Sequence, residues 1–336
     1  MRYRLLGNTG LRVSELFLGT MAYGGPDGGL PEADARRVLD RYADAGGNVV
    51  DTANFYGDGH SERVVGELLA GRRDRFVLAT KYTVTRDPTD PNAAGNHRKN
   101  LVLSLEESLR RLRTDYIDLY WVHMWDRHTP VAETMRALDD AVRAGKIRYI
   151  GISDAPAWIV AQANTLADWR GWTPFAGLQV PYSLLRRDAE RELLPMAESF
   201  GLTVAAWGPL GHGALTRSGG APPAREAAVV AVVRDVAGEL GVSPAQVALA
   251  WTRVRSGAVH PLTGPRTVDQ LDDALSALDL PLPPDAINRL ETATEFTPGF
   301  PSDFIAEVEP SVFGDMSDRV IHRRTALTRR GAPTSP

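Results

Sequence analysis

The sequence predicts an α/β chain folded as a (β/α)8 (TIM) barrel with an N-terminal β-hairpin and an extended C-terminal segment. Three observations carry that expectation. Short apolar runs alternate with segments of helical periodicity eight times along the chain. The two longest polar connections, Val84–Asn96 and Gly208–Ala224, both follow strands and so fall on one face. Ionisable or polar residues also stand at the ends of successive strands, where barrels of this kind assemble their sites.

Taken in order, Tyr3–Leu6 and Leu11–Ser14 flank a tight turn, Gly7-Asn-Thr-Gly10, and read as a small hairpin. Glu15–Gly19 is the first barrel strand. Pro31 opens a helix carrying Val38 and Tyr42 on one face, and Gly46-Gly47 stops it. Asn48-Val49-Val50 leads to Asp51, and a helix with Val64, Val65, Leu68 and Leu69 ends at Gly71. Phe76–Thr80 is the third strand and leads to Lys81. Leu101, Leu105, Leu109 and Leu112 recur at helical spacing, Ile117–Val122 is the fourth strand leading to His123, and Pro130 opens a helix closed by Gly145. Ile147–Ile152, Phe175–Val180 and Leu202–Trp207 are the next three strands, with helices over 157–167 and from Arg187 to Gly201 between them. Helices follow from Arg225 to Leu240 and from Ser243-Pro-Ala-Gln246, a capping-box pattern. Ala258–Leu262 is the eighth strand, and Thr267-Val-Asp-Gln270 caps the last helix of the set. Beyond Asp279, one short helix precedes irregular sequence. Residues 1–325 are expected to form one domain, and 326–336, ending Arg329-Arg-Gly-Ala-Pro-Thr-Ser-Pro336, a flexible tail.

The totals exclude several function classes. A chain of 336 residues, 43% hydrophobic and 24% charged, supports a sizeable core. A formal charge of -4 speaks against a nucleic-acid binder. The absence of cysteine removes disulfides, thiolate metal sites and a cysteine nucleophile. The start, Met1-Arg-Tyr-Arg4, leads into no apolar run, and no segment approaches membrane-spanning length, so no membrane partner and a cytoplasmic location are expected. His60, His97, His128, His212, His260 and His322 are not spaced as a metal set, and no metal is expected.

The chemistry concentrates in Asp51, Tyr56, Lys81 and His123. Singly, each has an ordinary role: a carboxylate capping a turn, a packed tyrosine, a solvated lysine, a structural histidine. Jointly they fall at one face of the barrel on strands two, three and four. A tyrosine hydroxyl titrates near pH 10 and is a poor proton donor at neutral pH. A neighbouring ammonium stabilises phenolate, a carboxylate holds the ammonium in place, and a neutral imidazole can hydrogen-bond a substrate carbonyl. That set suits a carbonyl reductase.

The motifs Leu6-Gly-Asn-Thr-Gly-Leu-Arg-Val-Ser14, Leu18-Gly-Thr-Met21, Asp51-Thr-Ala-Asn-Phe-Tyr-Gly57, Leu78-Ala-Thr-Lys81, Asp115-Tyr-Ile-Asp-Leu119 and Gly145-Lys-Ile-Arg-Tyr-Ile-Gly-Ile-Ser153 resemble those of the aldo-keto reductase family, in its aryl-alcohol-dehydrogenase-like branch. The resemblance covers almost the whole chain. It implies an NADPH-dependent reductase of small-molecule aldehydes or ketones, with Tyr56 as proton donor, Lys81 and Asp51 as its tuning pair, and His123 orienting the carbonyl. It further implies that NADP(H) lies across the barrel mouth. Ser153, Asp154 and Gln179 would meet the carboxamide, and Trp207 would stack on the nicotinamide. Gly208, Pro209 and Leu210 would meet the pyrophosphate, with Gly19, Thr20, Met21, Asp51, Gly213 and Leu215 completing the cofactor wall. Gly264 and Arg266 would hold the adenosine-phosphate end, where a guanidinium suits a 2'-phosphate, with Gln270 and Asp273 by the adenosine. For Gln270, completing a helix cap is an equal alternative.

Two positions depart from the family pattern. Residue 154 is Asp where Asn is common, and an ionised Asp cannot donate to the carboxamide oxygen. Residue 274 is Ala where Asn commonly follows the acid. Substrate would be gripped by Tyr23 in the loop Met21–Gly29, by Tyr56, His123 and Trp125, by the loop after Lys81, and by the segment Phe296–Phe313. Their aromatic members, Phe300 and Phe304 included, suggest an apolar or aryl compound, although the same rings could pack on one another. Gly95-Asn-His-Arg-Lys-Asn100 is either a solvated helix start or an anchor for the substrate loop. A second functional reading is a cofactor-binding regulatory or scaffold subunit that keeps the fold without turnover.

Overall fold

A computed structural model describes residues 1–24, 29–216 and 224–316, apart from the side chains of 224, 225 and 315. The segment 326–336, expected to be a tail, lies outside the described residues, as do parts of the first and seventh strand-end loops. The hairpin is β1 (Tyr3–Leu5) paired antiparallel with β2 (Arg12–Ser14). The alternating series follows as β3 (Phe17–Gly19), α1 (Glu32–Asp44), β4 (Val49–Asp51), α2 (His60–Leu69), β5 (Val77–Tyr82), α3 (Arg98–Leu112), β6 (Ile117–Val122) and α4 (Val131–Arg143). It continues with β7 (Ile147–Ser153), α5 (Ala157–Arg170), β8 (Phe175–Pro181), α6 (Leu193–Phe200), β9 (Thr203–Trp207), α7 (Ala224–Leu240), α8 (Pro244–Thr252), β10 (Val259–Thr263) and α9 (Val268–Ser276). Strands β3 to β10 are parallel and close into a barrel, with β10 pairing β3. Two helices, α10 (Pro284–Thr292) and α11 (Ser302–Phe313), follow.

Strand pleating sorts the apolar residues into two cores. Side chains of alternate residues point to opposite faces. Val49, Val77, Ala79, Leu119, Trp121 and Ala205 fill the barrel interior with Leu6, Val13 and Phe17 from its hairpin end. Val50, Leu78, Tyr120, Val122 and Ile150 instead join the layer between strands and helices. Trp121 decides the geometry of the middle of the barrel. A Cβ at Gly151 would lie 2.3 Å from its ring, and one at Gly177 2.9 Å, so β7 and β8 both need glycine at that level.

The hairpin closes the N-terminal end. Gly7 has a φ of +55° and donates its N–H to Thr203 Oγ1 at 2.8 Å; a Cβ there would meet the Ala176 carbonyl oxygen at 2.4 Å. Glu15, almost fully buried, takes ion pairs from Arg2, Arg4 and Arg253 and ties β2 to α8.

Some expectations need correction. The helix expected from Arg187 is interrupted: a 3-10 turn at Asp188–Glu190 precedes α6, which restarts so that Pro195 sits in its first turn, where a missing N–H costs nothing. Ser243 does accept from the Gln246 N–H (3.1 Å), but Gln246 does not return to the cap; its amide donates to Asp273 at 2.7 Å. The irregular sequence expected near the end contains α11. Pro310 within it and Pro301 before it conceal it in the sequence, and none of its residues is buried, so no packing face marks it.

His260 gives this fold an acid sensitivity. It is buried on β10, with Nδ1 3.0 Å from the Ser14 carbonyl oxygen, and burial pushes its pKa down to about 4, the Ser14 contact only partly offsetting that. The unfolded chain therefore binds the extra proton between about pH 6.5 and pH 4, and stability present above that window is lost as pH falls through it. At pH 5 the loss from this residue is roughly 2 kcal/mol. Urea unfolding at pH 7.5 and pH 5 should show His260→Gln losing less stability on acidification than the parent.

Candidate active site

The pleat also aims the polar residues. Asp51 lies two residues beyond the inward-facing Val49, Lys81 two beyond Ala79, and His123 two beyond Trp121, so all three enter the barrel at its C-terminal end. Tyr56 comes from the turn after β4 and is half-buried. The four residues expected to cluster do meet, above the indole of Trp121.

Lys81 is the centre of the cluster. It is 0% exposed, and its three N–H donors are all used. One goes to Asp51 Oδ1 in an ion pair, one to the Thr52 carbonyl oxygen at 2.9 Å, and one to Tyr56 Oη at 3.3 Å. Burial would lower its pKa, but the charge and hydrogen bond of Asp51 outweigh that and hold the ammonium above the ordinary lysine value. The other Asp51 oxygen accepts from the Gln179 amide at 3.1 Å. The Tyr56 and His123 rings meet edge-on, 5.9 Å between centroids. His123 is pushed down to about 3 by burial first and by the Lys81 charge second, so its imidazole is neutral at physiological pH and carries one N–H donor. Its buried Nδ1 has no hydrogen-bond partner among the described residues.

Next to this acid cluster, Ser153 and Gln179 are register partners on β7 and β8, and Trp207 ends β9. The Asp154 N–H donates to the Gln179 carbonyl at 3.2 Å, and the Trp207 indole N–H donates to Asp154 Oδ1 at 3.2 Å. Asp154 has a φ of +46°, a left-handed conformation that Asp and Asn tolerate better than other side chains. A hydroxyl, an amide and the face of an indole at one level fit a flat, carboxamide-bearing ring. Past Trp207, Gly208 (φ +63°) turns the chain through Pro209, Leu210 and a short 3-10 turn at Gly211–Gly213, and a Cβ at Gly208 would meet nothing closer than 3.7 Å. Across the rim, Gly264 and the exposed Arg266 lead into α9, whose N-cap Thr267 accepts from the Gln270 N–H. These residues fit a dinucleotide laid from β7 to α9.

Other expected residues lie elsewhere or are already engaged. Tyr23, expected at the substrate, is 1% exposed and packed in the outer core, its hydroxyl without a hydrogen-bond partner among the described residues. Thr20 is buried and bonded to the Asp51 carbonyl (3.0 Å) and Ser61 Oγ (2.9 Å), so it braces the strand ends. Leu215 is fully buried in the outer core, whereas Met21 is largely exposed. Gln270 Oε1 accepts from the Arg266 N–H at 2.7 Å, and the Asp273 carboxylate accepts from Ser243 and Gln246; both work at helix ends. Phe300 and Phe304 are 85% and 53% exposed, 6.2 Å apart, and rest on each other rather than on the mouth.

Sequence reading missed the Thr52 carbonyl, the Gln179–Asp51 link and buried Asn54, whose amide atoms have no described partner. No motif marks a backbone acceptor or a contact 128 positions apart. The segment 95–100 proves both a helix start and an anchor: His97 caps α3, while Asn96 donates to the Met124 carbonyl (3.1 Å) and its Oδ1 accepts from Thr83 (2.7 Å), fixing the loop beyond His123.

The ion pair predicts a stability pattern. Lys81→Met leaves a buried, unpaired carboxylate and should cost about 3–5 kcal/mol. Adding Asp51→Asn removes that charge, and urea unfolding should show the double variant more stable than Lys81→Met alone.

Comparison with known proteins agrees with this architecture. The aldo/keto reductase family matches residues 15–295. A norsolorinic acid reductase of Emericella nidulans is 42% identical, covering 95% of this chain and 88% of its own. One from Aspergillus flavus is 40% identical (97% and 90%), and a putative aryl-alcohol dehydrogenase of Saccharomyces cerevisiae 36% (94% and 92%). The chain belongs to the aldo/keto reductase family, oxidoreductases that act on carbonyl groups.

Proposed function

We propose that this chain is an NADPH-dependent reductase of aryl aldehydes or ketones, running reversibly. The observation that carries the reading is the Lys81 ammonium: buried, with its donors spent on Asp51, Thr52 and Tyr56. A phenol that accepts from a fixed ammonium can release its proton and bear the charge left behind.

When bound, NADPH supplies a hydride from the nicotinamide C4. Ser153, Gln179 and Trp207 would hold the ring, and Arg266 the 2'-phosphate. His123, neutral, donates a hydrogen bond to the substrate carbonyl and orients it. As the carbonyl carbon gains its C–H bond, Tyr56 gives its hydroxyl proton to the oxygen, Lys81 stabilises the phenolate, and solvent later restores the proton. In the reverse direction Tyr56 takes the proton from the alcohol.

The aryl preference is supported by the mouth itself. Trp125, two residues past His123, meets Trp158 of α5 edge-on at 5.7 Å; Trp158 is exposed, as are Phe55 and Met124 on the loops after β4 and β6. Flat rings stack well on such surfaces. The names of the relatives point the same way.

NADPH oxidation should be measured against a panel of aromatic and aliphatic carbonyls. Tyr56→Phe should retain cofactor affinity and lose kcat by at least about a hundredfold; an active variant excludes Tyr56 as the donor. Tight NADPH binding with no turnover on any carbonyl would favour a non-catalytic role instead. Arg266→Ala should weaken NADPH far more than NADH in equilibrium titrations, and an equal effect on both would refute the phosphate assignment. Because His123 stays neutral far below pH 7, no loss of activity attributable to its protonation is expected between about pH 5 and pH 8.

A further inference from the structure

Asp154 is the residue whose chemistry the reaction above does not use, and the structure fixes it unusually well. It follows Ser153 at the end of β7. Its backbone N–H donates to the Gln179 carbonyl at 3.2 Å, and its own carbonyl accepts from the Trp125 N–H at 3.4 Å. Its carboxylate accepts from the Trp207 indole at 3.2 Å. The side chain is thus pinned among the three groups expected to hold the nicotinamide, and the position is joined to the loop beyond His123.

Charges around it leave the carboxylate's field standing. Lys81, a cation that acts on Asp154, is ion-paired with Asp51, and His123 is uncharged. Arg186, the other cation that acts on it, lies on the exposed surface, where solvent screens it. The walls of the mouth withdraw water from the carboxyl and raise its pKa, with the Trp207 N–H opposing that. An oxidised nicotinamide carries a positive charge on the ring that the reduced form lacks. A fixed carboxylate in a poorly solvated mouth attracts the first and is indifferent to the second.

We propose that the Asp154 carboxylate makes the barrel mouth prefer oxidised over reduced cofactor, and so makes the bound reduced cofactor a stronger hydride donor, biasing hydride transfer on the enzyme toward carbonyl reduction. The step favoured is balanced: the carbonyl carbon gains a hydride from NADPH and its oxygen a proton from Tyr56, leaving an alcohol and NADP+. By linkage, the preference in binding equals the shift in the equilibrium on the enzyme.

The inference rests on the cofactor reading above, and one set of measurements separates the two. NADP+ and NADPH are each titrated by calorimetry into the parent and Asp154→Asn, which keeps the shape and tolerates the left-handed backbone. The ratio Kd(NADPH)/Kd(NADP+) should fall about tenfold in the variant, on the order of 1.4 kcal/mol or about 30 mV in the potential of the bound cofactor. Asn can also donate to the carboxamide, so both affinities are free to rise; only the ratio decides. An unchanged ratio overturns the inference while leaving the cofactor assignment intact, and a parent that binds NADPH tenfold more tightly than NADP+ also overturns it. Failure of the parent to bind either form refutes the cofactor assignment and the inference with it. Asp154→Ser is the second variant, measured in the same way should the Asn form not fold.

Discussion

The buried ion pair between Lys81 and Asp51 is the constraint around which the mouth of this barrel is organised. A lone ammonium or carboxylate at that depth would be strongly disfavoured, whereas the pair persists because every donor on the lysine has an acceptor. Each partner also reaches outward. Lys81 extends to Tyr56, the only one of its acceptors that can itself exchange a proton in a substrate pocket. Asp51 extends to Gln179, four strands away in the barrel order. One carboxylate therefore links the Lys81–Tyr56 side of the mouth to Gln179 on the opposite side, and a disturbance at either is felt at both.

The pair needs a rigid seat, and packing supplies it. Trp121 fills the barrel below the cluster, and glycine at 151 and 177 makes the room. Around the rim, Thr20, Thr52 and Ser61 join the ends of β3 and β4 to α2 through hydroxyl contacts of 2.9 Å. On the layer outside β5, fully buried Glu62 accepts from Thr80 at 2.5 Å and from Arg111 at 2.6 Å. Strand ends held in this way fix the separation of Tyr56 and His123, which is the preorganisation that charge stabilisation in a low-dielectric site requires.

Much of this was legible in the chain. Eight strand–helix alternations and a strand period of two are local properties, and they suffice to bring residues 51, 81 and 123 to the same end of a barrel. Less legible is what a local pattern does when it has no unique tertiary meaning. Tyr23 has the composition of a substrate contact, and the fold buries it in the outer core. Asp273 has the spacing of an adenosine ligand, and in the fold it also accepts from Ser243 and Gln246 at the start of α8. The helix α11 has an apolar stripe, but it is interrupted by proline and covered by nothing among the described residues.

By itself, then, the sequence determined the barrel, its order of strands and the strand ends that bring Asp51, Lys81 and His123 to one mouth. These follow from periodicity and from residue types at strand ends, which neighbours in the chain specify. Tertiary structure alone decided which polar groups are spent and which remain for chemistry. Lysine donors exhausted by Asp51, Thr52 and Tyr56, a histidine made neutral by burial beside an ammonium, and a carboxylate at 154 pinned by an indole are outcomes of desolvation and of contacts between residues dozens of positions apart. Those are energies of place, and the chain acquires them only when the barrel closes.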